Sequence, residues 1–397
     1  MELLSPAGSK EKLTFAYRYG ADAAYIGLDR FSLRSKADNF SAQDAGELEE
    51  IKGEKKLYCA LNIYFHPADL DELDEQLENI ARFPFDAFIV SDPGILPLLR
   101  SRFPGTPIHL STQANCVNQE SAKLYRDLGF SRIILGRELS LKEISRIKAE
   151  VPDIELEAFV HGAMCLSYSG RCFLSSWMAG RSGNKGDCSH SCRWNYRVLE
   201  EQERPGEFYP VVEDNGYTTI LSSKDLCMID HLAEIKSAGI DSVKIEGRMK
   251  SVYYTAVVTR AYRKMIDAVI YGRDVPSLDG FREELFHVSH REYSTGFYFG
   301  RDEIEVPASG SYIRSHLLLG TVLRRSGQNR YEIDIKNSIY TGDRIEYIGP
   351  EIVSAADGDF SLYNERGERI ETAHHGKHAL LEPTVPLEPG YIIRKPL

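Results

Sequence analysis

The sequence predicts an α/β protein: a (β/α)8 TIM-like barrel with a cysteine-rich insertion between its seventh and eighth strands, followed by a small antiparallel β-domain. Three observations predict this fold. A helical pattern that stops at a glycine and is followed by a short apolar run recurs, for example around Gly20, Gly129 and Gly239. Apolar runs of this kind alternate with helical patterns along the first part of the chain. From about residue 308 the pattern changes to short alternating strands separated by Gly and Asn.

We interpret the apolar runs as buried parallel strands of the barrel. They lie near residues 2–5, 23–28, 56–64, 86–91, 107–112, 132–136, 154–160 and 242–246. Helical periodicity predicts amphipathic helices between most of them, for instance at 69–82, 119–128 and 140–150. These elements place the barrel at residues 1–305, with the insertion at about 162–240, and a small β-barrel-like domain at residues 306–397.

Charge limits the kinds of partner that the chain can have. It contains 48 Lys and Arg against 59 Asp and Glu, a net charge of −11, which argues against nucleic-acid binding through overall charge. Residues 308–397 hold 11 basic and 12 acidic residues, so nearly all of the excess negative charge lies before them. If RNA is a partner, the C-terminal segment and the arginines around the site are the expected contacts.

The N-terminal residues do not combine a basic stretch with a following apolar one, and no run approaches the 18 consecutive apolar residues of a membrane helix. The sequence therefore predicts a cytoplasmic protein without a membrane segment. In that compartment thiols stay reduced, and clustered cysteines bind metal or do chemistry more often than they form disulfides.

Four of the seven cysteines lie within 28 residues, at Cys165, Cys172, Cys188 and Cys192. Thiolates select zinc or iron–sulfur clusters over hard cations. The separations of 7, 16 and 4 match neither a zinc ribbon nor the close spacing of a ferredoxin. The pattern favours an iron–sulfur cluster, with zinc and redox or buried thiols as alternatives. All four lie in the long interval between strands seven and eight, which is typical of a lid or cofactor-carrying subdomain.

Polar residues follow most of the predicted strands, where the active site of a (β/α)8 barrel lies. They include Asn62, Ser91, Gln113, Arg137, Glu138, His161, Glu246 and Arg248. Because the carboxyl ends of parallel strands meet at one rim, we expect these groups to converge there. The alternative is that individual members are ordinary loop caps.

Five segments, at residues 2–9, 91–94, 159–172, 223–227 and 243–250, resemble the peptidase U32 family. The resemblance spans essentially the whole chain. It implies a protein of the branches that hydroxylate RNA or a ubiquinone precursor and carry a 4Fe–4S cluster. The length is most similar to the tRNA branch, which forms 5-hydroxyuridine at the wobble position with prephenate as co-substrate.

Alternatives implied by the same resemblance are a collagenase-like peptidase and hydroxylation of ribosomal RNA or of a ubiquinone precursor. A peptidase is disfavoured, because the sequence has neither a Gly-x-Ser-x-Gly elbow nor a His-Glu-x-x-His signature. Association with a second copy or with a related family member stays open.

The resemblance assigns the cluster ligands to Cys165, Cys172, Cys188 and Cys192, with Cys227 as an alternative to Cys192. Cys59 and Cys116 are expected to be packing residues.

Prephenate carries two carboxylates, which guanidinium groups bind in bidentate geometry. Arg137 and Arg248 are the leading candidates for this dicarboxylate or a similar one, with Arg34 and Arg171 as secondary candidates. His161 is a candidate proton donor or acceptor near neutral pH, and Glu246 is either a base or a partner that orients Arg248. Tyr168 and Trp194 are candidates to stack an unpaired base of tRNA, or else are core residues.

Overall fold

The computed structural model describes residues 1–33, 40–165, 167–193, 212–214, 217–219, 223–300 and 312–397. The strands of its first part, in chain order, are β1 (Glu2–Pro6), β2 (Ala23–Ile26), β3 (Lys56–Leu61), β4 (Ala87–Val90), β5 (Ile108–Leu110), β6 (Arg132–Ile134), β7 (Glu155–Ala163), β8 (Val212–Asp214), β9 (Tyr217–Thr219), β10 (Asp225–Cys227), β11 (Ser242–Ile245) and β12 (Tyr293–Ser294). Strands β1 to β7 pair in parallel, each with the next, and β11 pairs in parallel with both β1 and β7. The pairing closes a barrel and confirms the predicted (β/α)8 fold.

The helices are α1 (Lys10–Arg18), α2 (Ala45–Lys52), α3 (Pro67–Ile80), α4 (Leu96–Arg102), α5 (Gln119–Asp127), α6 (Leu141–Glu150), α7 (Leu174–Ala179), α8 (Leu232–Ser237), α9 (Val252–Met265) and α10 (Leu278–Glu283). Their starts follow local sequence: Ser140 accepts from the backbone of Glu143, whose carboxylate accepts in return from the Ser140 backbone. Gly20, Gly129 and Gly239 have φ of 105°, 84° and 92°. These left-handed conformations confirm the predicted helix stops.

Strand β7 is longer than predicted, because its last residues leave the barrel. Residues 161–163 of β7 pair antiparallel with β10, which in turn pairs in parallel with β12. This extension lies on the carboxyl-terminal side of the barrel, at the start of the cysteine-rich insertion. The insertion therefore begins and ends on one short antiparallel ladder.

The C-terminal part is antiparallel, as predicted. Its strands are β13 (His316–Arg325), β14 (Tyr331–Ile335), β15 (Ile339–Tyr340), β16 (Ile345–Ile348), β17 (Ala355–Asp357), β18 (Ser361–Tyr363), β19 (Arg369–Ile370), β20 (Thr372–Ala373), β21 (His378–Glu382) and β22 (Ile392–Pro396). Among the described residues, eight of them form one sheet in the order β17-β16-β22-β13-β14-β21-β18-β19. This sheet has a hydrophobic core of its own, including Leu319, Ile333 and Tyr347. The predicted boundary at 305/306 lies outside the described residues.

Buried charges join the sheet to the outer helices of the barrel. Arg394 of β22 donates from Nη1 and Nη2 to the carboxylate of Glu284 at 2.6 and 2.8 Å, and from Nη1 to the Tyr253 hydroxyl at 2.7 Å. Arg260 of α9 donates to the Gly349 carbonyl at 2.6 Å. The guanidinium of Arg394 is thus paired with a buried carboxylate, whereas Nε and Nη2 of Arg260 have no hydrogen-bond partner among the described residues. Across the part of the chain that the structure describes, none of the helices has both the length and the apolar character needed to cross a membrane.

Candidate functional site

The carboxyl-terminal mouth of the barrel holds a continuous set of charged and aromatic side chains. Arg137, just after β6, places its guanidinium 3.9 Å from the ring centre of Phe159 and donates to the Ala163 carbonyl at 2.8 Å. Lys244 lies 5.5 Å from the same ring and 4.2 Å from the ring of Tyr25. Both cations thus lie within cation–π distance of an aromatic ring, which attracts them.

Tyr25 extends the set to Glu246. Its hydroxyl donates to the Ile245 carbonyl at 3.0 Å and lies 3.2 Å from Oε2 of Glu246. Glu246 is half-buried at the end of β11. Glu246 thus places a carboxylate close to the cations of the mouth.

Arg248 follows the same strand and is 3 % exposed. Its Nη2 donates to the Ser32 hydroxyl at 2.9 Å. Two glycines make room for it: a Cβ on Gly27 would lie 2.2 Å from Nη1 of Arg248, and a Cβ on Gly8 would lie 2.4 Å from the Arg248 carbonyl oxygen. Glycine is therefore required at both positions by close approach. Arg34 lies outside the described residues.

Below the mouth, the barrel interior is filled by ion pairs. Glu157 is fully buried and lies 3.2 Å from Lys244 and 3.1 Å from Arg132. Arg132 also bonds Glu2 at 2.5 Å. Burial lowers the pKa of Lys244, and Glu157 opposes that effect. Sequence reasoning missed Lys244, Phe159 and Tyr25; Glu157 and Phe159 alternate along β7, which is the pattern that marks inward-facing positions.

His161 lies at the same end of the barrel, but its ring contacts α9 and β12. Its ring centre is 5.5 Å from that of Tyr262 and 5.3 Å from that of Tyr293. The Tyr262 hydroxyl lies 3.4 Å from Nδ1 and the Tyr293 hydroxyl 3.5 Å from Nε2. Complete burial lowers the pKa of His161 to about 3. In this environment the imidazole is neutral at pH 7, so it acts there as a hydrogen-bonding group and does not titrate near neutral pH as expected from its type.

The first turn of the insertion is clasped to the rim. Ser169 has a left-handed backbone with φ of 43° and is buried. Its amide and hydroxyl donate to Glu138 at 2.5 and 2.8 Å, and its carbonyl accepts from Gln113 Nε2 at 2.9 Å. A Cβ on Gly170 would lie 2.6 Å from the same Nε2. This clasp of Ser169, Glu138 and Gln113 fixes the chain between Cys165 and Cys172 on the ends of β5 and β6.

Arg171 and Tyr168 flank the clasp on the solvent side. Arg171 is exposed and donates from Nε to the Tyr64 hydroxyl at 2.5 Å and to the Gln113 carbonyl at 2.7 Å. Tyr168 is 59 % exposed, which makes it accessible to a ligand and rules out the core alternative. Trp194 lies outside the described residues.

A serine chain holds the middle of the insertion together. Ser175 of α7 is buried and lies 2.9 Å from the Ser189 hydroxyl, which lies 2.7 Å from that of Ser191. The Ser189 amide donates back to Ser175 at 2.8 Å. The segment that carries Cys188 and Cys192 is thereby fixed against α7.

All seven cysteines are free thiols. A Cβ on Gly183 would lie 3.9 Å from both the Cys188 sulfur and the Cys172 carbonyl, so these two cysteines lie close to the same glycine. Within the described ranges, no three His, Cys, Asp or Glu side chains come near enough to one another to hold a metal ion. The donor chemistry of four free thiols fits a soft metal centre, and the assignment of its ligands stays a prediction.

Cys227 lies in a different environment, on β10 beside His161. The Tyr262 hydroxyl donates to its sulfur at 4.0 Å, and burial raises the pKa of its thiol to about 11. The thiol of Cys227 is thus protonated at neutral pH in the absence of a metal. The choice between Cys192 and Cys227 as the fourth ligand stays a prediction.

Two protein-family models match the chain. Residues 8–307 match Peptidase family U32, and residues 314–394 match the Peptidase family U32 C-terminal domain. The chain is 36% identical to "tRNA hydroxylation protein P" of Escherichia coli (strain K12), over 88% of this chain and 86% of that one. It is 38% identical to an "uncharacterized protease" of Methanocaldococcus jannaschii, over 88% and 87%. It is 34% identical to the E. coli "23S rRNA 5-hydroxycytidine C2501 synthase", over 88% of this chain and 52% of that one.

Proposed function

The chain belongs to peptidase family U32, and we propose that it is an enzyme that hydroxylates tRNA. The observation that carries the proposal is the match to tRNA hydroxylation protein P, which covers 88% of this chain and 86% of that protein. The match to the ribosomal RNA enzyme covers 52% of the length of that enzyme, against 86% for tRNA hydroxylation protein P. At finer detail, we propose that the product is 5-hydroxyuridine at the wobble position.

We further propose that Cys165, Cys172, Cys188 and Cys192 hold a 4Fe–4S cluster. Support comes from their free thiols and from the insertion itself, which the Ser169 clasp fixes at one end and the Ser175–Ser189 contact fixes in the middle. When bound, such a cluster supplies one-electron chemistry, with a potential set by its hydrogen bonds and exposure.

The co-substrate in this proposal is prephenate or a similar small dicarboxylate. Arg248 is rigidly held between Gly8, Gly27 and Ser32, and Arg137 is oriented by the Phe159 ring and the Ala163 carbonyl. A guanidinium fixed in this way loses little freedom when it binds a carboxylate in bidentate geometry. Glu246, hydrogen-bonded by Tyr25, is the group at the mouth that could accept a proton from the substrate.

Changing Arg248 to Lys tests the dicarboxylate site. Lysine keeps the charge but loses the planar fork, and a hydrogen bond to a charged group contributes about 1.5–3 kcal/mol, so prephenate affinity is expected to fall about tenfold or more. Calorimetric titration of prephenate measures the affinity, and thermal melting verifies that the variant is folded. Unchanged affinity in a variant with reduced stability would show that Arg248 only braces the rim.

The tRNA proposal is tested by nucleoside mass spectrometry in a strain that lacks the gene. Wobble 5-hydroxyuridine is expected to disappear from tRNA and to return when the intact gene is restored. The strain must also lack any oxygen-dependent enzyme that makes the same nucleoside. If only 5-hydroxycytidine of ribosomal RNA were lost, the protein would be a ribosomal RNA hydroxylation enzyme and not a tRNA hydroxylation enzyme.

The peptidase alternative predicts a different result. Purified protein would cleave denatured collagen or casein without iron, and the cleavage would be lost on replacing His161 or a nearby serine. The neutral His161 is poorly placed for such a role, because among the described residues its two ring nitrogens lie next to the hydroxyls of Tyr262 and Tyr293 and not next to a serine hydroxyl.

A further inference from the structure

The cysteine-rich insertion carries an exposed aromatic pair. Phe173, at the start of α7, and Trp177, one turn later, are each 74 % exposed. The Trp177 amide donates to the Phe173 carbonyl at 3.0 Å, so the two residues are four positions apart on one face of the helix. Large aromatic side chains left in water next to each other mark an interaction surface more often than an isolated exposed residue does.

The opposite face of the same helix is anchored. Ser175, two positions from each aromatic residue, is buried and bonded to Ser189. At 100° per residue, positions 173 and 177 lie nearly opposite to position 175. The helix therefore cannot rotate to bury the aromatic pair without breaking this contact.

The charge around the pair is unlike that of the whole protein. Residues 165–193 contain four Arg and Lys and one Asp, whereas the chain as a whole has a net charge of −11. Among these cations, Arg171 is exposed. Arg181 pairs with Asp187 at 2.9 Å and Lys185 with Asp69 at 2.7 Å, and each keeps 38 % of its side-chain surface exposed. Aromatic residues in a basic setting are the composition that binds single-stranded nucleic acid, because bases stack on the rings while cations contact the phosphates.

We propose that Phe173 and Trp177 form a stacking platform for unpaired bases of the substrate RNA. The proposal rests on the tRNA function above and adds the surface that recognises a loop instead of a duplex. A second copy of this chain would also bring negative charge to this surface, since its net charge is −11. It is a less suitable occupant, because it has no unpaired bases to stack on the two rings. Arg171, bonded to the Gln113 carbonyl at the rim, connects the platform to the barrel mouth.

The test is binding of an anticodon stem–loop RNA to the anaerobically purified full-length protein, compared with a fully paired RNA of the same length. Wild type is expected to prefer the stem–loop. The double variant Phe173→Ala/Trp177→Ala is expected to bind the stem–loop at least about tenfold more weakly, because each lost base stack reduces affinity several-fold or more. Trp177→Phe keeps an aromatic face and is expected to retain most of the affinity.

Tyr271→Ala is the matched control. Tyr271 is a 48 % exposed aromatic residue that contacts Met1, at the amino-terminal end of the barrel, and its loss is expected to leave RNA affinity unchanged. Iron content and melting temperature, measured on every variant, show whether a weaker variant has merely lost its metal or its fold.

The outcomes separate the two proposals. Equal stem–loop affinity in wild type and double variant would overturn the platform and leave the tRNA function standing. Failure of wild type to bind any RNA would overturn the tRNA function itself. A dimer that dissociates in the double variant, seen by sedimentation, would assign the surface to a second copy and overturn the platform.

Discussion

The cysteine-rich insertion and the barrel wall place their cysteines in opposite environments. In the insertion, Cys165 is exposed and Cys172, Cys188 and Cys192 are half-buried. In the barrel, Cys59 lies in β3 and Cys116 lies between β5 and α5. Burial raises the pKa of the Cys59 thiol and raises the pKa of the Cys116 thiol to about 12. The chain therefore carries two chemically separate sets of thiols. Thiols of the wall serve as small apolar packing groups, whereas those of the insertion are accessible to a metal.

The largest expected effect is on the iron content of the protein when a cysteine of the insertion is replaced. If the insertion cysteines are ligands, anaerobically purified wild type is brown, with about four iron and four sulfide per chain. Cys172→Ala is expected to abolish colour and iron, because three remaining thiolates leave one iron without its ligand. Cys59→Ala is the matched control and is expected to keep both. Stoichiometric zinc without iron would contradict the cluster assignment.

A narrower test distinguishes Cys192 from Cys227. Cys192 lies next to Ser191, at the end of the serine chain that fixes the insertion, whereas Cys227 lies under the Tyr262 hydroxyl. Cys192→Ala is therefore expected to lose most of the bound iron, and Cys227→Ala to retain it. The absorption spectrum and iron analysis of the two proteins, purified side by side, measure the effect. The reverse result would assign the fourth ligand to Cys227 of β10.

The fold was predictable from sequence because its signals are local and repeated. Helix stops at Gly20, Gly129 and Gly239 and short apolar runs mark the strands, and their alternation favours a closed barrel. The clasp of Ser169, Glu138 and Gln113 was not predictable, because it depends on a left-handed serine and on residues 31 and 56 positions away. Long-range pairing of this kind leaves no periodic trace in the sequence.

The interior of the mouth was predicted in part. Arg137, Arg248 and Glu246 lie at strand ends as expected, but the stack of Lys244 between Tyr25 and Phe159 was missed. Simple alternation along β7 would place His161 on the same face as Phe159. The register between β7 and β11 shifts between Lys244 and Ile245, and the ring of His161 contacts α9 instead. Bulges of this kind redirect side chains and cannot be located by counting residues.

The clasp of Ser169, Glu138 and Gln113 joins the insertion to the barrel. Weakening it is therefore expected to loosen the insertion and leave the barrel unchanged. Ser169→Ala removes the hydroxyl that donates a hydrogen bond to the Glu138 carboxylate. The change is expected to cost about 1–3 kcal/mol of local stability. Ser169→Gly removes the same hydroxyl but relieves the left-handed backbone, so it is expected to be milder by about 1–2 kcal/mol. Hydrogen exchange of residues 165–172 measures the local effect in each variant. Equal exchange in both variants and wild type would show that the clasp does not hold the insertion.

The last prediction concerns pH and one buried group, the imidazole of His161. His161 has a pKa of about 3 in the folded protein, where burial disfavours its charged form, against an ordinary value of 6.5 in the unfolded chain. The unfolded chain therefore binds a proton first as pH falls. The stability that this neutral histidine contributes is present above pH 6.5 and is lost progressively as pH falls towards 3. Each unit of pH in that window costs up to about 1.4 kcal/mol, or about 2 kcal/mol between pH 6.5 and 5.

His161→Phe removes the titration while keeping an aromatic ring of similar size, so its stability is expected to fall less between pH 7 and pH 5. Urea unfolding at the two pH values measures the difference. Other groups do not obscure it. His316, with a pKa of about 4, titrates in the same range but is present in both proteins, and Glu284, with a pKa of about 2, loses its contribution only below about 4.5. If the two proteins lose stability in parallel, the ring of His161 is hydrated in solution, and burial does not hold its imidazole neutral in the folded protein.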